Sequence, residues 1–445
     1  MFLCWWLSLV ALIPMTISIN PGVKVKLTTK GIEYGRQLAL ASIQQKLKTI
    51  RIDDMSGKVK VSRIGKVKYS LTNLKMVDVG LPEATLNMVP GTGVRLSIGN
   101  AFFRLQGNWR VKYLIVSDSG SFNLNVNGIS IGEHTFQTWS KLAVQSVQQY
   151  VENAIRKAMQ KQICPLVANA VSDLNNNLKT LNVLAKVDQF AEIEYSMVAS
   201  PAVSTTSIDL SLKGEFYNIG KHQEPPFTPA AFSLPPQINN MLYIGLSSFT
   251  ANSAAFVYNS AGAFSQYITD DMIPKASPIR LTTGTFGVFI PQIAKQFPGL
   301  MMKLLVKTVK TPIITFETNN ATVQAFATAT AYAIQPNATL SPLFVLNLDS
   351  SVSARVFVSG TRVAGALTLN KMDLTLATSY VGDFQVRSLD SIFQTVLKWV
   401  VIPTLNVDLA KGYPLPTLGK MTLVNTQLQV LKDYLMIGTD VQFKG

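Results

Sequence analysis

Cysteine and histidine are nearly absent from this chain: its 445 residues include two of each. A zinc site draws on several Cys, His or carboxylate ligands and a serine-hydrolase relay needs a histidine, so this supply leaves little for either chemistry. Acidic side chains are scarce as well, 25 against 40 lysines and arginines, and charged residues make up only 15% of the chain, against about 25% in a soluble domain. With 47% hydrophobic residues the composition is not that of a disordered chain, and the length suits two or three domains with ample core. Beyond residue 18 there is no run of 18 uninterrupted apolar residues, so the mature chain is expected to be soluble.

Catalytic constellations are missing too. His134 and His222 lie in loop-like text, and Asp53-Asp54 and Asp270-Asp271 are adjacent pairs that point in alternating directions. Gly91-Thr92-Gly93 lacks the third glycine and the βαβ setting of a dinucleotide site. The chain therefore reads as a non-enzyme with no catalytic residues, no metal site and no cofactor.

Residues 1–18, MFLCWWLSLVALIPMTIS, carry no charge and read as a secretory signal peptide cleaved after Ser18, although a basic opening segment is lacking. A membrane anchor is the competing reading, but the run is barely long enough to span and Pro14 sits near its end. Cleavage removes Cys4 and leaves Cys164 as the one cysteine of a secreted, extracellular protein. That implies a missing partner, an intermolecular bridge or a buried thiol. Asn320-Ala321-Thr322 and Asn337-Ala338-Thr339 are glycosylation sequons that fit the same route.

What is present in excess is local positive charge. Residues 24–112 hold 17 basic and 5 acidic side chains, a net +12 of the total +15. Such a concentration points to a polyanion: nucleic acid, a heparin-like glycan, anionic phospholipid or bacterial glycolipid. Nucleic acid has only the charge in its favour, with no recognition motif and a secretory route against it. The densest text is 48–70. There Lys58, Lys60, Lys66 and Lys68 share even parity, so on strands they leave one face while Val59, Val61, Val67 and Tyr69 leave the other, with Ser62-Arg63-Ile64-Gly65 as the turn. A second hairpin is expected over 102–113, turning at Gly107-Asn108 and carrying Arg104, Arg110 and Lys112; Trp109 suits either a lipid interface or a core.

The order of elements repeats. Ile32, Ala39, Ile43 and Leu47 predict a helix within 28–50; strand-like runs follow to about 131, then a long helix over 139–178 with Ala143, Val147, Tyr150, Ala154 and Ala158 on one face and Pro165 kinking it. After a stretch with five prolines in sixteen residues, 221–236, a short helix is expected at 291–297 and strands at 343–348, 352–358 and 363–369. A last stripe follows, Leu389, Ile392, Phe393, Val396, Leu397 and Val400, interrupted by Pro403. The proline-rich segment reads as an extended linker or a long internal loop, and the repeated order as a diverged duplication of α+β halves in which helices pack on curved antiparallel sheets.

Asn20-Pro21-Gly22, Met88-Val89-Pro90, IDLSLKGEFY at 208–217, Pro225-Pro226-Phe227, DDMIPK at 270–275 and KGYPLP at 411–416 together resemble the bactericidal/permeability-increasing protein and lipopolysaccharide-binding protein family, within the lipid transfer/lipopolysaccharide-binding superfamily. The resemblance implies an α+β boomerang of two pseudo-twofold-related barrel-like domains, each a curved antiparallel sheet on a long helix, joined by a central sheet. In this reading 19–220 and 237–445 are the two domains and 221–236 the linker. It also implies a lipid A site on the basic N-terminal tip, carried over at Lys60, Lys66, Arg110 and Lys112 and acting at the bacterial outer membrane surface; the local charge adds Lys58, Arg63, Lys68 and Arg104 to that site and leaves heparin-like glycans as a further partner. Clustered cations of this kind give micromolar-scale docking before acyl chains contribute.

A phospholipid is expected as bound ligand in each half, with Ile32, Ile43 and Leu47 as pocket candidates, in a monomeric protein. The family's cysteine near the middle of the long helix bonds an earlier strand cysteine, but here GISI at 128–131 runs through GEHTFQ almost directly into the helix. Cys164 thus lacks its family partner, no disulfide is expected, and the chain resembles a splice-type variant or an incomplete gene model. The basic text that follows the tryptophan in the family is here Tyr113-Leu114-Ile115-Val116-Ser117, which lowers the expected bactericidal strength. The expected role is secreted innate-immune binding of lipopolysaccharide, ending in killing or presentation; the alternative is a plasma phospholipid or neutral-lipid transfer protein without bacterial specificity.

Overall fold

The computed structural model describes residues 20–49, 51–61, 65–129, 183–236, 239–277, 279–415 and 421–443. The expected signal peptide, the 139–178 helix, Arg63, His134 and Cys164 lie outside these residues. The chain forms two compact units that no single cut in the sequence separates: described residues 29–129 and 202–207 make the first, and 20–28, 183–201 and 208–443 the second. Both are α+β, built on antiparallel sheets with few helices.

β1 (Val23–Thr28) belongs to the second unit, and α1 (Thr29–Lys48) opens the first. β2 (Met55–Val61), β3 (Gly65–Gly80), β6 (Ala101–Tyr113) and β7 (Val116–Ile129) form an antiparallel sheet in that order, while β4 (Glu83–Val89) and β5 (Gly93–Gly99) form a separate hairpin. Leu40, Ile43 and Leu47, at i, i+3 and i+7 on α1, pack on Leu71, Leu74, Val79, Leu81, Phe103 and Leu105. Ala39, expected on that stripe, is exposed because the packed face passes through Leu40 instead. Arg36 ties the helix to the hairpin by donating to the Ala84 carbonyl at 2.8 Å, and its hydrogen bond to Glu33 holds that carboxyl below the usual range. Gly91-Thr92-Gly93 is the hairpin turn, with φ +69° and +146° at its glycines, a conformation an L side chain resists.

The hairpin expected to turn at Gly107-Asn108 does not form. β6 runs straight through both residues, and Gly107 is a buried strand position where a Cβ would lie 2.8 Å from Leu74 and 3.0 Å from Phe122. Here glycine serves close side-chain approach rather than turning. The chain reverses seven residues later, at Leu114-Ile115.

β8 (Leu184–Lys186) and β9 (Ala191–Glu194) lie in the second unit, whereas the two-residue β10 (Ala202–Val203) lies in the first, where the Val203 carbonyl accepts from the Gly91 N–H at 3.1 Å. The second unit continues with β11 (Ser207–Leu212, from its second residue on), β12 (Glu215–Asn218), β13 (Leu242–Ser247), α2 (Ser248–Ser260) and β14 (Ser265–Ile268). Next come α3 (Thr283–Gly287), α4 (Pro291–Gln296), β15 (Met302–Thr308), β16 (Ile313–Glu317), β17 (Asn320–Ile334), β18 (Leu340–Ser359) and β19 (Arg362–Ser379). It closes with α5 (Asp390–Val396), α6 (Ile402–Lys411), β20 (Tyr413–Pro414), β21 (Met421–Leu431) and β22 (Tyr434–Phe443). β11, β1, β13, β22 and β21 are successive neighbours in one sheet; β12, β9 and β8 form a second; β14, β15, β17, β18, β19 and β20 form a third, with β16 also on β17.

All six residues of the stripe from Leu389 to Val400 are at most 5% exposed. They pack in one core with Met302, Leu304, Phe344, Leu346 and the alanines at 327, 329, 331 and 333, alternate positions that share one face of β17. Pro403 does not interrupt the helix: the backbone widens into a π turn over Leu397–Val401, and Pro403 sits in the first turn of α6, where its missing N–H is tolerated. The strands expected at 343–348 and 352–358 are one strand, β18, because Asp349-Ser350-Ser351 stays paired on both sides, to β17 and β19.

Segment 221–236 has neither helix nor strand beyond an isolated bridge at Lys221. It is strapped to the second unit by the Asn20 side-chain amide on the Pro229 carbonyl at 3.1 Å, by Phe227 edge-on to Phe249, and by Phe232 beside Tyr434. In that unit Phe393→Ala is expected to cost about 3–5 kcal/mol, read as a lowered denaturation midpoint for the second unit.

Candidate functional site

Strand register decides where the cations go. Lys60 faces Lys66 across β2 and β3, and Lys58 faces Lys68. Lys68 in turn faces Lys112 on β6, Ser70 faces Arg110, and β7 supplies only serines, Ser117 and Ser119, at the same levels. The result is three rungs: Lys60–Lys66, Lys58–Lys68–Lys112 and Ser56–Ser70–Arg110. All six cations are exposed. Their neighbours of odd parity, Val59, Val67, Tyr69, Val111 and Tyr113, pack together on the opposite face.

Side chains directly opposite on antiparallel strands have Cβ atoms about 4.5–5.5 Å apart, so the middle rung sets three ammonium groups side by side. None of the six has an ion pair among the described residues. The nearest acid on β7, Asp118, is opposite Val111 and therefore belongs to the other face. Like charges in register are destabilising, and the sheet carries them without internal neutralisation. Such a face can hold several phosphate oxygens at once, Lys as point charges and Arg110 through its planar fork.

Arg104 does not join them. It lies at the level of Asp78, six residues from Arg110 and thus roughly 20 Å along the strand, and pairs with the Asp78 carboxylate at 3.9 Å. Trp109 is on the packed face, half-buried against the core beneath α1. Leu47 and Ile43 belong to that same core and Ile32 is buried at the start of α1. Asn320 and Asn337 are both exposed, the first beside the β16–β17 turn and the second in the turn before β18.

The acidic pairs have structural tasks. Asp54 accepts from the Asn73 N–H at 3.0 Å, where Asn73 takes a positive φ at a register shift in β3. Asp270 accepts from the Leu281 N–H at 2.7 Å and pairs with Arg280. His222 stacks on the ring of Tyr217 at 3.5 Å. Among the described residues no group of three His, Cys, Asp or Glu could hold a metal ion.

Comparison with known proteins bears on this arrangement. The model of the LBP / BPI / CETP family N-terminal domain matches residues 31–132, and that of the C-terminal domain matches 185–443. This chain belongs to the LBP / BPI / CETP family. It is 71% identical to a bactericidal permeability-increasing protein of Sebastes schlegelii, with all of each chain covered in an alignment of 473 positions. It is 30% identical to a human lipopolysaccharide-binding protein, over 97% of this chain and 95% of the other. A crystal structure of lipopolysaccharide binding protein matches 96% of the chain with a TM-score of 0.65 and 27% identity. The N-terminal family match includes every one of the six clustered cations.

Crowding of like charge predicts a stability gain on its removal. Lys68→Thr, at the centre of the middle rung, is expected to raise the unfolding free energy of the first unit by about 0.2–1 kcal/mol at low salt. Thermal melts in 1 M salt, where the Debye length falls to about 3 Å, should erase the difference.

Proposed function

We propose that this chain is a secreted, non-enzymatic lipid-binding protein of innate immunity that takes lipopolysaccharide on the exposed face of β2, β3 and β6. The observation that carries this reading is the set of six cations on one sheet face that have no ion pair among the described residues, Lys58, Lys60, Lys66, Lys68, Arg110 and Lys112. Lipid A offers phosphates on a disaccharide, which suits in-register ammonium groups and one guanidinium. The name of the human relative at 30% identity supports the same ligand, and that of the relative at 71% a bactericidal role. Heparin-like glycans carry the same anionic chemistry and would compete for this face. Phospholipid is the expected second ligand, and secretion would leave Asn320 and Asn337 open to glycosylation.

Each basic group near an anionic lipid surface contributes about 1 kcal/mol, so six supply roughly 6 kcal/mol, a dissociation constant of some tens of micromolar. Tighter binding requires apolar contact. Titration against lipopolysaccharide and against neutral phosphatidylcholine vesicles at several salt concentrations tests the reading. Affinity for lipopolysaccharide should exceed that for the neutral vesicles and fall steeply with salt. Equal, salt-insensitive affinity for both would instead support a lipid-transfer protein without bacterial specificity.

Location is tested by charge reversal. Lys60→Glu, Lys66→Glu and Arg110→Glu together should weaken lipopolysaccharide binding at least about a hundredfold at low salt. Reversal of Lys295, Lys307 and Lys398 in the second unit should change it far less, and the opposite ranking would move the site.

A further inference from the structure

Among the described residues of the first unit, the two that join β6 to β7 are the most exposed large apolar pair: Leu114 is 75% and Ile115 96% exposed. A two-residue connection favours Asn-Gly or Asp-Gly, which accept positive φ without strain. Here Leu114 holds φ +53°, a conformation in which a bulky side chain crowds its own backbone. The chain therefore accepts backbone strain and loses hydrophobic burial at one point, and neither favours the isolated fold.

The position of this pair relative to the cations supplies a reason. Tyr113 and Val116 close the hairpin, and one step back Lys112 stands in the middle cationic rung. Continuing the β3–β6 register by two residues brings Leu114 level with Lys66, which faces Lys60. The Tyr113 ring lies 3.8 Å from where a Cβ on Gly65 would be, so the start of β3 sits beside the end of β6. An exposed apolar point thus projects from the end of the sheet at which Lys60, Lys66 and Lys112 are gathered.

We propose that Leu114 and Ile115 form a wedge that enters the acyl layer of an anionic lipid surface while Lys60, Lys66 and Lys112 hold its phosphates. The proposal rests on the lipopolysaccharide reading of the cationic face and adds an apolar contact made by residues outside it. An aliphatic pair beside a row of cations matches the layering of such a surface, charge outside and hydrocarbon beneath. A protein pocket would offer no equivalent reason for the surrounding lysines.

Lipid monolayers of lipopolysaccharide and of phosphatidylglycerol, with full-length secreted protein injected beneath, separate adsorption from insertion. The wild-type protein should raise the surface pressure of both films. Leu114→Ser with Ile115→Ser should still adsorb to anionic vesicles at low salt but with affinity lower by about ten- to hundredfold, and should lose most of the pressure rise. Lys60→Glu with Lys66→Glu should lose adsorption itself. An Ile115→Trp variant offers a second readout: vesicle binding should blue-shift the added emission and lipids brominated on their chains should quench it. Unchanged pressure rise in the double serine variant, or no quenching at position 115, overturns the wedge while leaving the cationic site standing. Failure of the wild-type protein to adsorb at low salt overturns both.

Discussion

In an extended strand successive side chains leave opposite faces, and a slip of one residue in register would exchange them. In the first unit this constraint holds Lys58, Lys60, Lys66 and Lys68 on one side of β2 and β3 while Val59, Val67 and Tyr69 anchor the other side. Burial of the valines fixes the register, the register aligns the lysines, and β6 extends the alignment to Arg110 and Lys112. The electrostatics are thus a consequence of packing on the reverse face. Repulsion within the lysine rungs is tolerated because side-chain ammonium groups remain in water, where their interaction is weak.

The second unit obeys a different constraint, the fit of a long helix to a sheet. Leu389, Ile392, Phe393, Val396, Leu397 and Val400 fill the helix face and share one core with the alanines of β17. Length and mean hydropathy would let 386–411 cross a membrane, yet the apolar stripe is spent on this core. Trp399 remains outward, 62% exposed on the opposite side of the helix.

Features written in local periodicity were legible in the sequence: α1 within 28–50, the stripe after Leu389, and the parity of the four lysines. What escaped depended on partners distant in the chain. Gly107-Asn108 has turn chemistry, but Leu74 and Phe122 claim the space beside Gly107 and keep β6 straight. Arg104 shares the parity of the cluster, but Asp78, placed opposite by register shifts in β3, pairs with it. α2 was invisible to periodicity because Phe249, Ser253, Ala254, Ala255 and Val257 are buried around several sides; its one local signal was Ser247, whose side chain accepts from the Thr250 N–H as an N-cap. The central pairing of β1 with β13 joins residues more than 200 positions apart and leaves no short-range mark.

Amide hydrogen exchange on the full chain with and without lipopolysaccharide addresses the central claim most directly, because it reports the contact surface without altering a residue. Protection on binding is predicted at 58–61, 65–68 and 110–117, with little change along 386–411. Protection of 386–411 with no change at those strand ends would contradict the account.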